Sequence, residues 1–126
     1  MKKQRIHTDH APQAIGPYSQ AIRANDVVYF SGQIPLDPAT MTLVGGGINE
    51  QAERVFLNMR AVAEAANASL NDIVKLTIYL TDLNDFSVVN AAMMRFFAEP
   101  YPARTTIQVS ALPKEALVEV DAVMLV

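Results

Sequence analysis

The 126-residue chain contains no cysteine, which excludes disulfides, a thiol nucleophile and thiolate metal ligands, and suits a reducing compartment. Its two histidines, His7 and His10, share an HxxH spacing, but they stand in a polar N-terminal stretch without supporting ligands, so no metal site is expected there. Charge is sparse as well. Ten Lys and Arg against 13 Asp and Glu leave a formal net charge of -3, and the basic cluster Lys2-Lys3-Arg5 lies at the terminus, so a nucleic-acid partner is not expected. No apolar run reaches the ~20 residues of a membrane-spanning helix, and the polar first ten residues lack the apolar centre of a secretory signal. No membrane partner is expected, and the expected location is the cytoplasm.

What is present is hydrophobic: 51% of residues are apolar and 18% charged, enough for a continuous core in a single domain spanning residues 1–126. Ser19 to Ala24 and Val27 to Gly32 read as strands joined at Asn25-Asp26, a hairpin signal. Pro35 to Gly47 reads as loop. The next segment predicts a helix capped by Asn49, with Glu50 and Glu53 at its positive end. Ala52, Val55, Phe56, Met59, Val62, Ala63 and Ala66 recur along it at three- and four-residue steps, an apolar stripe. Val74, Leu76, Ile78 and Leu80 then alternate with Lys75, Thr77, Tyr79 and Thr81 as a strand. A second helix is predicted from Asp82, its N-cap, with Phe86, Val89, Met93 and Phe97 on one side, until Pro100 ends it.

Two strands close the chain. Pro102 belongs at a strand entrance, which places Arg104 just inside it. A side-chain period of two puts Arg104, Thr106, Gln108 and Ser110 on a polar face, and Thr105, Ile107, Val109 and Ala111 on a face expected to join the core. After a turn at Leu112-Pro113, Val118, Val120, Ala122 and Met124 alternate with Leu117, Glu119, Asp121, Val123 and Leu125. The order β-β-α-β-α-β-β, with a small extra strand near Met41 to Val44, predicts an α+β layer with both helices on one sheet face. The other face, carrying Glu119, Asp121, Val123 and Leu125, is expected to meet another subunit. A carboxylate among hydrophobes, as at Glu119, is usually paired, hydrated or functional. Read by themselves, Arg104 is more often a surface or ion-paired residue than an anchor, and Glu119 could pair with Arg23 or Lys75.

Taken in order, Ala14-Ile15-Gly16-Pro17-Tyr18-Ser19-Gln20, Phe30-Ser31-Gly32-Gln33-Ile34-Pro35, Asp82-Leu83-Asn84-Asp85-Phe86, Val89-Asn90, Pro102-Ala103-Arg104, Leu112-Pro113 and Val118-Glu119-Val120 closely resemble the reactive-intermediate deaminase (RidA-type enamine/imine deaminase) family. The resemblance implies a chorismate-mutase-like mixed β-sheet with two helices on one face, assembled as a homotrimer with clefts between subunits. It implies that Arg104 grips a substrate carboxylate with help from the backbone amide of Thr106, that Glu119 holds the attacking water, and that Tyr18, Ser31, Gly32 and Asn90 line the cleft. Many members carry cysteine where this chain has Thr106, an exchange that preserves the amide and removes any thiol role. The segment Ala98-Glu99-Pro100-Tyr101 is shorter than in some members and shapes the cleft rim.

The implied reaction is hydrolysis of 2-aminoacrylate-type enamines, through their 2-imino acid tautomers, to 2-keto acids and ammonia. An imine is already an electrophile, so orientation and proton handling suffice and no cofactor or metal is expected. The expected partner is a small imino or keto acid held bidentately by the Arg104 fork. Two other readings fit the same scaffold: a catabolic deaminase of a larger unsaturated amino acid (aminomuconate-like), and a non-catalytic regulatory trimer that binds keto acids. Ribonuclease and translation-inhibitor labels attached to the family fit less well, given the acidic balance and no histidine near the motifs.

Overall fold

A computed structural model describes residues 2–126. The expected hairpin forms from β2 (Ala21–Ala24) and β3 (Val27–Gln33), with Asn25 at positive φ in the turn. A strand not predicted from the sequence, β1 (Gln4–Ile6), pairs with the outer side of β2. Helix α1 (Ile48–Ala65) follows, then β4 (Ile73–Leu80), α2 (Phe86–Phe96), β5 (Ala103–Gln108) and β6 (Val118–Leu125). The six strands form one mixed sheet in the order β1-β2-β3-β6-β4-β5, antiparallel throughout except for the parallel pair β4–β5. Near Met41 to Val44 there is no strand, only a bridge between Leu36 and Leu43.

The apolar stripe of α1 is buried as expected, from Ala52 and Val55 to Ala66, against the sheet side chains Val28, Leu76, Ile78, Leu80, Val118, Val120 and Met124. Phe56 joins the two helices, with ring centroids 5.7 Å from Phe96 and 5.5 Å from Phe97. Several local expectations change. The cap of α1 is Gly47, not Asn49: Glu50 reaches back to accept from the Gly47 N–H at 2.9 Å, which lowers its pKa. This carboxylate serves the first turn after Gly45-Gly46-Gly47. Asp82 does accept from the Asn84 N–H at 2.9 Å, but it caps a short 3-10 turn, and α2 starts at Phe86. On β4 a register shift between Ile73 and Lys75 makes Val74 the extra residue, so Ile73 is buried and Val74 exposed.

The faces of β5 are the reverse of the expectation. Leu76 pairs with Arg104 and Ile78 with Thr106, so these two residues lie on the helix-covered side, while Thr105 and Ile107 point to the open face. The physical reason is that β5 is an edge strand, and the guanidinium of Arg104 meets Phe86, Asn90 and Met93 of α2 where an apolar residue would otherwise go.

Buried polar side chains fasten the loops that carry the site. Gln51 Oε1 accepts from the Leu117 N–H at 2.8 Å, and Asn58 Nδ2 donates to the Leu36 carbonyl at 3.0 Å. Gln20 is buried; its Oε1 accepts from the Thr8 N–H at 2.8 Å, and its Nε2 donates to the Pro12 and Thr8 carbonyls at 2.8 and 3.0 Å. Replacing it strands these backbone groups away from water. Gln20→Leu should therefore cost about 2–3 kcal/mol in chemical denaturation at fixed protein concentration; a loss under about 0.5 kcal/mol would mean that the N-terminal segment is held elsewhere.

Candidate functional site

The site residues fall into two groups. The first surrounds Arg104, at the start of β5. Its Nη1 donates to Asn90 Oδ1 and lies 3.4 Å from Met93 Sδ, and its Cζ stands 4.9 Å from the centroid of the Phe86 ring. Hydrogen bond, thioether and ring face hold the guanidinium from three sides, the ring by cation–π attraction. No carboxylate pairs with it: among the described residues the one ion pair is His7–Asp9 at 3.2 Å. Arg104 is thus a half-buried cation with Nη2 and Nε free of protein partners among the described residues. It lines a cavity of about 380 Å³ with Asn90, Met93, Met94, Tyr101 and Pro102. Two residues on, Thr106 faces the same side, and its buried Oγ1 has no hydrogen-bond partner among the described residues.

The second group surrounds Glu119 on the open face. A bulge in β3, where the register against β6 shifts between Phe30 and Gln33, sets Ser31 and Gly32 out of the ladder. Ser31 is tied down by its N–H to the Gln20 carbonyl at 3.0 Å and its Oγ to the Ser19 carbonyl at 2.6 Å. Gly32 then backs directly onto Glu119: a Cβ there would stand 2.1 Å from Oε2. Only glycine leaves the carboxylate where it is. Tyr18, whose Oη accepts from the Ile15 N–H at 3.3 Å, completes a cavity of about 480 Å³ with Ile15, Ser31, Gly32, Ile34, Pro113 and Glu119. Burial, and secondarily the like charge of Asp121, raises the Glu119 pKa above its ordinary 4.5. Asp121 in turn accepts from Tyr79 Oη at 2.9 Å, and Lys75 is engaged with Thr77, Thr105 and the Leu76 carbonyl, so neither Lys75 nor Arg23 pairs with Glu119.

One chain does not bring the two groups together. Strand β4 separates β5 from β6, with Arg104 opposite Leu76 and Glu119 opposite Tyr79. Three residues along β4 and two strand spacings across it set the two Cα atoms about 14 Å apart, and the side chains leave from opposite faces. Phe86 and Met93, expected only as part of the apolar side of the second helix, also hold the guanidinium. Their spacing with Asn90, at i, i+4 and i+7, was the available signal that all three share one face of α2.

The mixed sheet under two helices is the α+β fold of RidA structures. A family model described as Endoribonuclease L-PSP matches residues 8–126, and the chain belongs to this RidA-type family. The 2-iminobutanoate/2-iminopropanoate deaminase of Dermatophagoides farinae is 44% identical over 98% of this chain and 97% of its own. The crystal structure of RidA from the Antarctic bacterium Psychrobacter sp. is 50% identical and superposes with a TM-score of 0.95 over 98% of this chain and 99% of that one. That of E. coli TdcF with bound serine is 37% identical, with a TM-score of 0.91 over 98% of each chain.

The raised Glu119 carboxyl has a consequence for stability. The folded chain holds this proton more tightly than the unfolded chain, whose value is near 4.5. Its favourable contribution is complete below that value and is lost as pH rises through the raised one. Glu119→Gln should therefore gain stability relative to the parent protein as pH rises from about 4.5 toward 7. Urea unfolding across that range checks it, and a difference constant with pH would contradict it.

Proposed function

We propose that the protein is a 2-imino-acid deaminase that hydrolyses 2-iminopropanoate and 2-iminobutanoate, the tautomers of 2-aminoacrylate-type enamines, to 2-keto acids and ammonia. The observation that carries this reading is the unpaired, three-sided Arg104 guanidinium at the mouth of a cavity. A half-buried cation without an anion is costly unless a ligand supplies one, and its free N–H edge suits a carboxylate. The deaminase name of the mite relative and the serine bound by TdcF support a small amino-acid-like ligand. Among the described residues Arg104 is the sole cation lining either cavity, which favours one carboxylate over a dicarboxylic substrate. Among the described residues no histidine, the usual general acid–base residue, lines either cavity, which weighs against the ribonuclease activity in the family description.

In this reading the Arg104 group of one subunit meets the Glu119 group of the next. The open sheet face exposes Tyr29 (53%), Leu125 (49%) and Ile107 (41%), a patch that a neighbouring subunit would cover. A head-to-tail contact closing into a ring brings the β5–α2 rim of one chain against the β3–β6 face of its neighbour; the family resemblance supplies the number three. Arg104 and the Thr106 amide fasten the carboxylate, and Tyr18, Ser31, Gly32 and Asn90 bound the space. Glu119 accepts a proton from water as its oxygen bonds to the C=N carbon, and the nitrogen takes up a proton. The carbinolamine then receives a second proton on nitrogen, the C–N bond breaks, ammonia leaves, and loss of the hydroxyl proton forms the ketone. A carboxyl with a raised pKa is suited to both giving and taking these protons.

Arg104→Ala should lower kcat/KM for imine hydrolysis at least about 100-fold, and Arg104→Lys should recover little, since an ammonium does not reproduce the fork. The assay couples an amino-acid oxidase or threonine dehydratase to ammonia release; near-normal turnover by Arg104→Ala removes the anchor. Subunit mixing tests the shared cleft. Arg104→Ala and Glu119→Gln trimers, each inactive, should on refolding together at equal ratio regain up to about a quarter of parental activity, because one cleft in four pairs an intact Arg104 with an intact Glu119 from the neighbour. No recovery would place both residues in clefts formed within one subunit.

A further inference from the structure

We infer that the groove beside Arg104 is a subsite for the substrate's side chain and selects extended, uncharged aliphatic or thioether chains over the methyl group of 2-iminopropanoate. The inference rests on the deaminase reading and adds to it the class of side chain. Met94 is 71% and Tyr101 46% exposed, on the helix-covered side where most large apolar residues are buried. Together with Met93 and Pro102 they wall the same cavity as Arg104. An exposed apolar surface directly continuous with a carboxylate anchor is what an amphiphilic acid requires, charge at one end and hydrocarbon at the other.

The wall also excludes. Asn90 Oδ1 is committed to Arg104, and among the described residues no charged residue besides Arg104 lines the cavity. A second carboxylate or an ammonium at the far end of a substrate would lie against Met94 and Tyr101 without a partner, at a desolvation cost that hydrocarbon avoids. The two methionines suit this task because an unbranched thioether refits to chains of different length. A longer aliphatic chain has more apolar area than a methyl group to bury against this wall.

The test uses the assembled protein and imines generated by D-amino-acid oxidase from D-alanine, D-norvaline, D-norleucine, D-methionine and D-glutamate. Expected is a rise in kcat/KM of about threefold for each methylene added to the straight chain, with the methionine imine near that of norleucine and the glutamate imine near or below that of alanine. In Met94→Ser and Tyr101→Ser the ratio of the norleucine to the alanine imine should fall about fivefold or more. A ratio unchanged in both variants overturns the subsite, as does a flat series with the parent protein, and either result leaves the deaminase reading standing. If no imine is turned over, that reading fails, and calorimetric binding of pyruvate, 2-oxopentanoate and 2-oxohexanoate still decides the groove: affinity rising with chain length supports it, and equal affinities overturn it. Variants that lose trimer assembly rather than selectivity would also overturn it, since the groove would then be a seat for the neighbouring subunit.

Discussion

The position of β4 between β5 and β6 is the constraint on which the rest depends. It fixes Arg104 and Glu119 on opposite faces of one sheet and at different heights along it. No rotamer change closes a gap of about 14 Å between Cα atoms whose side chains diverge. If both residues serve one reaction, a second chain must complete each site, and the sheet is built for that. One face is sealed by α1 and α2 into the core, while the other keeps Tyr29, Ile107 and Leu125 in solvent.

Each half is also pre-organised within its own chain. Phe86, Asn90 and Met93 rise from a single helix face to hold the guanidinium, so its direction is set by the packing of α2 on the sheet rather than by a ligand. Glu119 is held by a different device. The bulge at Ser31 and Gly32 removes a side chain from its path, and Gln51, gripping the Leu117 N–H, fixes where β6 begins. Among the described residues neither Glu119 nor Arg104 has an oppositely charged partner, an arrangement that costs stability and leaves both groups available.

Much of this was legible in the sequence, and the exceptions share a cause. The stripe from Ala52 to Ala66 and the alternation from Val118 to Met124 are strictly periodic over long runs, and both are buried as read. Periodicity reports where one element is apolar, however, not which strands are neighbours. It therefore could not show that β5 runs parallel to β4, or that the apolar-looking Thr105 and Ile107 face outward while Arg104 packs beneath α2. The three-residue β1 is too short to carry a pattern, and the cap of α1 moved because Glu50, three residues past Gly47, satisfies that N–H better than Asn49 could. The residues Tyr18, Ser31, Gly32, Asn90, Thr106, Arg104 and Glu119 emerged from motif resemblance, and the structure divides them into two groups that no local pattern distinguishes.

The division has a thermodynamic corollary. When the halves of a site belong to neighbouring chains, ligand binding and assembly are linked, because a ligand that bridges Arg104 of one chain and the Glu119 pocket of the next binds the associated form more tightly than the single chain. In the proposed shared cleft a small acid and the neighbouring chain would each tighten the binding of the other by the same free energy. The strength of that linkage depends on how much of the ligand each half grips. In the proposed reading, an anchor fixed by Phe86, Asn90 and Met93 binds the carboxylate whether or not a neighbour is present, whereas the imine carbon and its water meet their partner only across the boundary. Recognition can therefore begin on one subunit, while chemistry waits for two.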